Sequence, residues 1–224
     1  MREESTDTGG IGHLDGGEAE PTRAADSREE ILDAAAEAFM ARGYSGTSIT
    51  DIADRLGSTK GRFYHWYRSK AQIYLDVHRR AMEMLFEVVE PIAQEDRPAE
   101  DRLRRMVWEH TRLMMTALPY QRVSVQSLDM RVLVTNQDLG EVRAEVIALR
   151  DRYEQMFADV IAEGVAEGSL RPARGRLVTK PLFGAVNWIT MWFEPGRSGA
   201  PDKQEEICEE MATFVVQGLR KEPS

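Results

Sequence analysis

Apolar residues recur along this chain at intervals of three and four, the period of helices with one buried face, and nowhere in the strict alternation of a half-buried strand. Ile73, Val77, Ala81, Met84, Leu85 and Val88 hold such a face up to Pro91, and Leu103, Met106, Val107, His110, Leu113 and Met114 hold another up to Pro119. A less regular helix is expected from Tyr120 to Val134. The longest runs from Asp138 to about Glu167, striped by Val142, Val146, Leu149, Tyr153, Met156, Phe157, Val160 and Ile161, with Gly168 as its cap. Two more follow, Leu177 to Phe193 and Pro201 to Leu219. The pattern predicts an all-α protein of about nine helices, each proline marking a break.

The stretch from Thr47 to Lys70 differs in character. Ser48 followed by Asp51 is a capping box, so a helix begins near Ile49 with Ile49, Ile52, Ala53 and Leu56 inward. Gly57 ends it, because glycine enters the left-handed region without steric cost. Ser58 or Thr59 then caps a second short helix. Two short helices at a steep angle, the second opening on small and basic residues, form a helix-turn-helix. A helix that enters the major groove by its first turn presents only its leading side chains to base edges; here those are Thr59, Lys60 and Arg62. Tyr64 and His65, one turn on, are placed for phosphate oxygens. Phe63, Trp66 and Tyr67 are spaced to pin this helix to the domain beneath.

Charge matters only when counted locally. The 224 residues carry a net charge of −9 and an isoelectric point near 5.1, which argues against a general nucleic-acid coat protein. From Arg55 to Arg80, however, seven bases face the single acid Asp76, a local charge of +6. Residues 1–26 carry seven acids against Arg2 and Arg23, are rich in glycine, and are expected to form a disordered acidic tail.

The segment from Ser27 to Val77 resembles the DNA-binding domain of the tetracycline-repressor family of bacterial regulators. The resemblance rests on Ala38-Phe39, Arg42-Gly43-Tyr44, Thr47-Ser48, Asp51-Ile52-Ala53, Lys60-Gly61, Tyr64 and Ser69-Lys70. It departs from the family at Ser58, where an aliphatic residue is usual, and at Arg62-Phe63. The resemblance implies phosphate contacts from Thr47, Tyr64, His65 and Lys70, with Ser48 at the same edge, and base contacts from Thr59, Lys60 and Arg62. It also implies double-stranded operator DNA as partner, a DNA-binding domain over 27–72, and an effector-binding and dimerisation domain over 73–224. Gly184-Ala185-Val186-Asn187-Trp188, Trp192-Phe193 and Pro195-Gly196 resemble the carboxyl half of members that sense acyl-coenzyme A thioesters. Met191 and Glu194 stand where that group carries bases, so a smaller apolar effector is the alternative.

Large, adaptable apolar side chains mark the candidate pocket: Trp108, Met114, Met115, Tyr153, Phe157, Trp188 and Trp192, with Asn187 or His110 for a polar contact. Arg112, Arg122 and Arg131 could face an anionic group or solvent. Gly184 and Ala185, with Ile207, Met211, Phe214 and Val215, are expected to build a four-helix interface in a homodimer, which sets two recognition helices about 34 Å apart for a palindrome. The function expected is a dimeric repressor released by a hydrophobic or acyl-coenzyme A effector, with an activator or an effector-free DNA-binding protein as the alternative. No catalytic elbow, phosphate loop or metal-spaced histidine pair occurs, so no enzyme, metal or cofactor is expected. The single cysteine, Cys208, excludes an internal disulfide, and the chain reads as cytoplasmic.

Overall fold

The computed structural model describes residues 20–57, 60–126 and 140–221, with side chains except at 20–27, 60–62, 126, 142 and 198. Among the described residues eleven α-helical segments follow one another: α1 Glu20–Arg42, α2 Ile49–Arg55, α3 Lys60–Trp66, α4 Lys70–Ala93, α5 Ala99–Thr116, α6 Leu118–Gln126, α7 Gly140–Glu167, α8 Thr179–Asn187, α9 Ile189–Trp192, α10 Pro195–Ser198 and α11 Pro201–Leu219. The all-α reading holds. Among the described residues the only β pairing is an isolated antiparallel bridge between Leu170 and Arg220.

Three boundaries differ from expectation. α1 starts at Glu20, inside the segment expected to be a disordered tail; Pro21 is its second residue, where a missing N–H leaves no helical bond unmade. Residues 1–19 lie outside the described ones. α4 continues through Pro91 to Ala93, because a proline so near the end interrupts only the last turn. The helix expected from Leu177 to Phe193 divides into α8 and α9 at Trp188, where the Thr190 hydroxyl donates to the Asn187 carbonyl (2.9 Å) and the Arg122 Nε donates to the Thr190 carbonyl (2.5 Å). Most of the helix expected over Tyr120 to Val134 beyond Gln126 lies outside the described residues.

Two hydrophobic cores organise these helices. The first joins Ile31, Ala35 and Phe39 of α1 to Ile52 of α2, Phe63 of α3, Tyr67, and Ile73, Val77 and Ala81 of α4. The second joins Met82, Leu85, Phe86 and Val89 of α4 to Leu103, Met106 and Val107 of α5, Tyr153 and Phe157 of α7, and Cys208, Ala212 and Val216 of α11. α4 and α6 belong to both, since α6 gives Tyr120 and Val123 to the first core and Leu118 to the second.

The turn that sets α3 on α2 depends on backbone geometry. Leu56 stays right-handed (φ −83°, ψ −5°), and Gly57 reverses the chain at φ +57°. A Cβ there meets nothing within 4 Å, so the requirement for glycine is conformational rather than steric. Gly57→Ala is therefore expected to cost about 1–2 kcal/mol of stability through the left-handed φ alone; urea unfolding followed by circular dichroism checks this, and an unchanged midpoint contradicts it.

Candidate functional site

The first face of interest is built on α2 and α3. Ser48 caps α2: Asp51 N–H donates to Ser48 Oγ (3.1 Å), while the Ser48 N–H and hydroxyl donate to Asp51 Oδ2 (2.7 and 2.6 Å). These bonds from Ser48, with the nearby Arg42 guanidinium at 2.7 Å, hold the Asp51 carboxyl below its usual range. α3 buries Phe63 completely, and Tyr67 just past its end is also buried, so the helix is pinned from below as its spacing predicts. Trp66 is half-buried. Tyr64, 59% exposed, and His65 face outward on the opposite side. Thr59 lies outside the described residues, as do the side chains of Lys60 and Arg62.

Two expected phosphate ligands turn inward instead. Thr47 is buried, and its hydroxyl donates to the carbonyls of Gly43 (2.8 Å) and Ala38 (3.1 Å), closing the end of α1. Lys70 donates from Nζ to the carbonyls of Tyr44 (2.8 Å) and Thr47 (2.7 Å), and its ammonium lies 4.2 Å from the centre of the Tyr44 ring. Desolvation lowers its pKa. These bonds to the carbonyls of the α1–α2 turn fasten the start of α4 to that turn. The linear count of +6 is also reduced by folding. Glu37 reaches Arg55 (3.0 Å), Asp76 takes both Arg28 (2.6 Å) and Arg79 (2.5 Å), and Glu87 takes Arg80 (2.6 Å).

The second site is a half-open cavity of about 200 Å³ lined by α4, α5, α6, α7 and α8. Met82 and Leu85 of α4, Val125 of α6 and Phe183 of α8 give it apolar walls; His110, Gln121, Ser124, Arg150, Glu154, Lys180 and Asn187 give it polar ones. Tyr153 lies between them. Its hydroxyl is 3.0 Å from His110 Nδ1, and Asn187 Oδ1 is 2.9 Å from His110 Nε2. Because an amide oxygen only accepts, the proton belongs on Nε2, and Nδ1 accepts from the tyrosine. Burial depresses the imidazole to about 4, so His110 is neutral at physiological pH. At the rim, burial pushes Glu154 up, but hydrogen bonds from Lys180, Thr179 and Arg176 prevail and hold it at about 2.

Of the expected pocket residues, Tyr153, Asn187 and His110 line this cavity. Met114, Met115 and Phe157 are buried in the second core and do not line it. Trp108 borders a separate groove with Arg104 and Glu209. Trp188 and Trp192 are 62% and 45% exposed, because α8 and α9 turn Leu182, Val186 and Ile189 inward and these tryptophans outward. Val215, expected at an interface, is buried with Ala212 and Leu219. Ile207 and Met211 are half-buried, Gly184 is open, and Phe214 is 66% exposed. Arg112 pairs with Glu109 (2.8 Å), Arg122 caps α9, and Arg131 lies outside the described residues. Sequence reasoning missed Arg150. The signal was present: it stands four residues after Val146 and three before Tyr153, a charge in the middle of the buried stripe of α7.

The inward course of Lys70 predicts that Lys70→Met lowers stability without any DNA present, by about 1–3 kcal/mol for the lost charged hydrogen bonds. Thermal unfolding of the DNA-free protein measures this; an unaltered melting temperature restores a purely phosphate-binding role.

Residues 31–77 match the family described as "Bacterial regulatory proteins, tetR family", and residues 96–219 match "Tetracyclin repressor-like, C-terminal domain". The HTH-type transcriptional repressor KstR2 of Mycolicibacterium smegmatis is 25% identical over 205 residues, 89% of this chain and 93% of the relative. The HTH-type transcriptional activator FasR of the same organism is 34% identical over 199 residues, 88% of this chain and 84% of the relative. The solved structure of AibR in complex with isovaleryl coenzyme A and operator DNA is 25% identical at a TM-score of 0.69, covering 84% of this chain and 97% of that one. No helix among the described residues is long and apolar enough to cross a membrane. On the matches to both of its halves, this chain belongs to the tetracycline-repressor family of helix-turn-helix transcriptional regulators.

Proposed function

We propose that the protein is a homodimeric repressor that leaves a palindromic operator when a small effector fills the cavity between α4 and α8. The observation that carries this reading is the shared membership of α4 and α6. Met82 and Leu85 of α4 line the cavity, and the same helix is tied to the DNA-binding domain by Lys70 and by Asp76, which accepts from Arg28 of α1. α6 gives Gln121 and Ser124 to the cavity wall, and its Tyr120 hydroxyl donates to Asp33 of α1 (2.7 Å). From Lys70 to Met82 is roughly 18 Å along one helix. An effector that prefers a different setting of α4 lowers operator affinity by the ratio of its affinities for the two states, and operator weakens the effector by the same factor. AibR, crystallised with isovaleryl coenzyme A and operator, supports a small-molecule effector. The name of FasR favours a second reading, activation rather than repression; a promoter reporter with and without the protein separates the two.

Base reading is assigned to Thr59, Lys60 and Arg62, and phosphate contact to Tyr64 and His65, with Ser48 at the edge of the same face. Arg62→Ala is expected to cost about 1–3 kcal/mol on the operator and little on random duplex, whereas His65→Ala weakens both alike. Fluorescence anisotropy across a salt series reads these outcomes, and equal losses on both DNAs for Arg62→Ala rule out base reading.

The exposed apolar side chains of α8, α9 and α11 fit a partner copy. Trp188, Trp192 and Phe214 are large, outward and unburied, with Ile207 and Met211 beside Phe214 at helical spacing. Two such helices from each protomer make a four-helix contact. Trp188→Glu combined with Phe214→Glu is expected to give a monomer that melts cooperatively and has lost tight binding to a palindrome. Sedimentation equilibrium decides; a persistent dimer removes this interface.

A further inference from the structure

We infer that the cavity takes a compact monocarboxylic acid, its carboxylate held by the guanidinium of Arg150 on α7, and not the body of a coenzyme A thioester. This deepens the effector reading above and rests on it. Size is the first argument. A cavity of about 200 Å³ is below the roughly 300 Å³ at which drug-sized sites begin. A short branched or single-ring acid fits that space whole, whereas the nucleotide part of a thioester has to lie outside it.

Charge is the second. Arg150, Lys180 and Glu154 are the charged residues that line the cavity, and His110 is neutral, so the wall carries a net charge of +1. Glu154 is already committed to Lys180 and Arg176 at 2.8 Å each and to the Thr179 hydroxyl at 2.5 Å. Arg150 feels Asp151 and Glu154 only through space, and among the described residues no carboxylate lies within ion-pair distance of it. Its guanidinium is desolvated enough to lower its pKa. A partly buried cation with no carboxylate in contact among the described residues is costly, and here it interrupts an apolar stripe where a leucine would pack at no such cost. A planar guanidinium binds a carboxylate through two parallel hydrogen bonds. Across the cavity, Met82, Leu85, Val125 and Phe183 offer a surface to the acid's hydrocarbon part. One anion and one apolar body satisfy both walls, whereas a thioester has lost the carboxylate that Arg150 would hold.

The test uses the full chain and isothermal titration with benzoate and 4-methylpentanoate, their primary amides, and the coenzyme A thioesters of the same two acids. The acids are expected to bind at least tenfold more tightly than their amides. Arg150→Met should erase that preference while leaving the melting temperature unchanged or higher, since it removes a partly desolvated charge that meets no carboxylate among the described residues; Arg150→Gln repeats the comparison with a polar side chain. Acid and amide binding alike, thioesters binding while the acids do not, no binding by any of the six compounds, or an acid preference that survives both substitutions each overturns the assignment. Operator release is read separately by anisotropy. Acids that bind through Arg150 without releasing operator leave the ligand assignment standing and refute the effector reading; thioesters that release operator while the acids fail to bind do the reverse.

Discussion

Helix α4 is buried at its two ends in two different cores, and the rest of the architecture depends on that constraint. Ile73, Val77 and Ala81 pack with the helix-turn-helix, and Met82, Leu85, Phe86, Val89 and Ile92 pack with the larger domain. Protein interiors are packed as densely as organic crystals, so neither end can slide against its neighbours without opening voids. The polar ties tighten the constraint at the end nearest α2 and α3. Lys70 closes on the α1–α2 turn, and Asp76, buried on α4, accepts from both Arg28 and Arg79. A helix held this way joins the two domains through one continuous, packed element.

The same ties change how charge is read. Counted along the sequence, the segment from Arg55 to Arg80 is strongly positive, yet the fold brings Glu37 to Arg55, Asp76 to Arg79, and Glu29, Glu83 and Glu87 around Arg80. Those cations lock α1, α2 and α4 together. The positive potential available to a phosphate backbone is thereby concentrated toward α3 and its flanks, where Arg68 is exposed. Lys70 illustrates the competition: carbonyls within 2.8 Å hold an ammonium that the sequence offers equally to a phosphate.

Helical periodicity carried most of the fold, because burial repeats every three to four residues and is local in sequence. The capping box at Ser48 and Asp51 and the left-handed Gly57 and Gly168 were legible for the same reason. The cavity was not. Its walls come from five helices, and periodicity says that a residue is buried without saying whether it faces a neighbour or a hollow. Phe157 and Tyr153 share one stripe, yet only Tyr153 reaches the cavity. Trp188 and Trp192 failed differently: large apolar residues on a helix that is apolar on most sides read as interior, but such a helix has one face for its own core and another for whatever covers it. Arg150 was legible in principle as a charge breaking an apolar stripe, and was passed over because a stripe is read by the residues that obey it.

Coupling the cavity to α3 needs little energy by the standards of the interactions present. A hundredfold loss of operator affinity corresponds to about 2.7 kcal/mol, since each tenfold step is about 1.4 kcal/mol. A hydrogen bond to a charged group contributes about 1.5–3 kcal/mol, so a single carboxylate–guanidinium contact made well in one setting of the helices and poorly in the other is large enough. The geometry offers a route for it. Burial foremost, and the charge of Arg150 on α7 acting through space in the same direction, depress the His78 imidazole of α4 to about 3. His78 stands one turn before Met82 of the cavity wall and stacks edge-on against Tyr74, which in turn packs on Tyr44, the ring beneath Lys70. An anion of the kind proposed for Arg150 would change the field at His78, at the point of α4 where the two cores meet, and the ring contacts continue from there to the turn that sets α2.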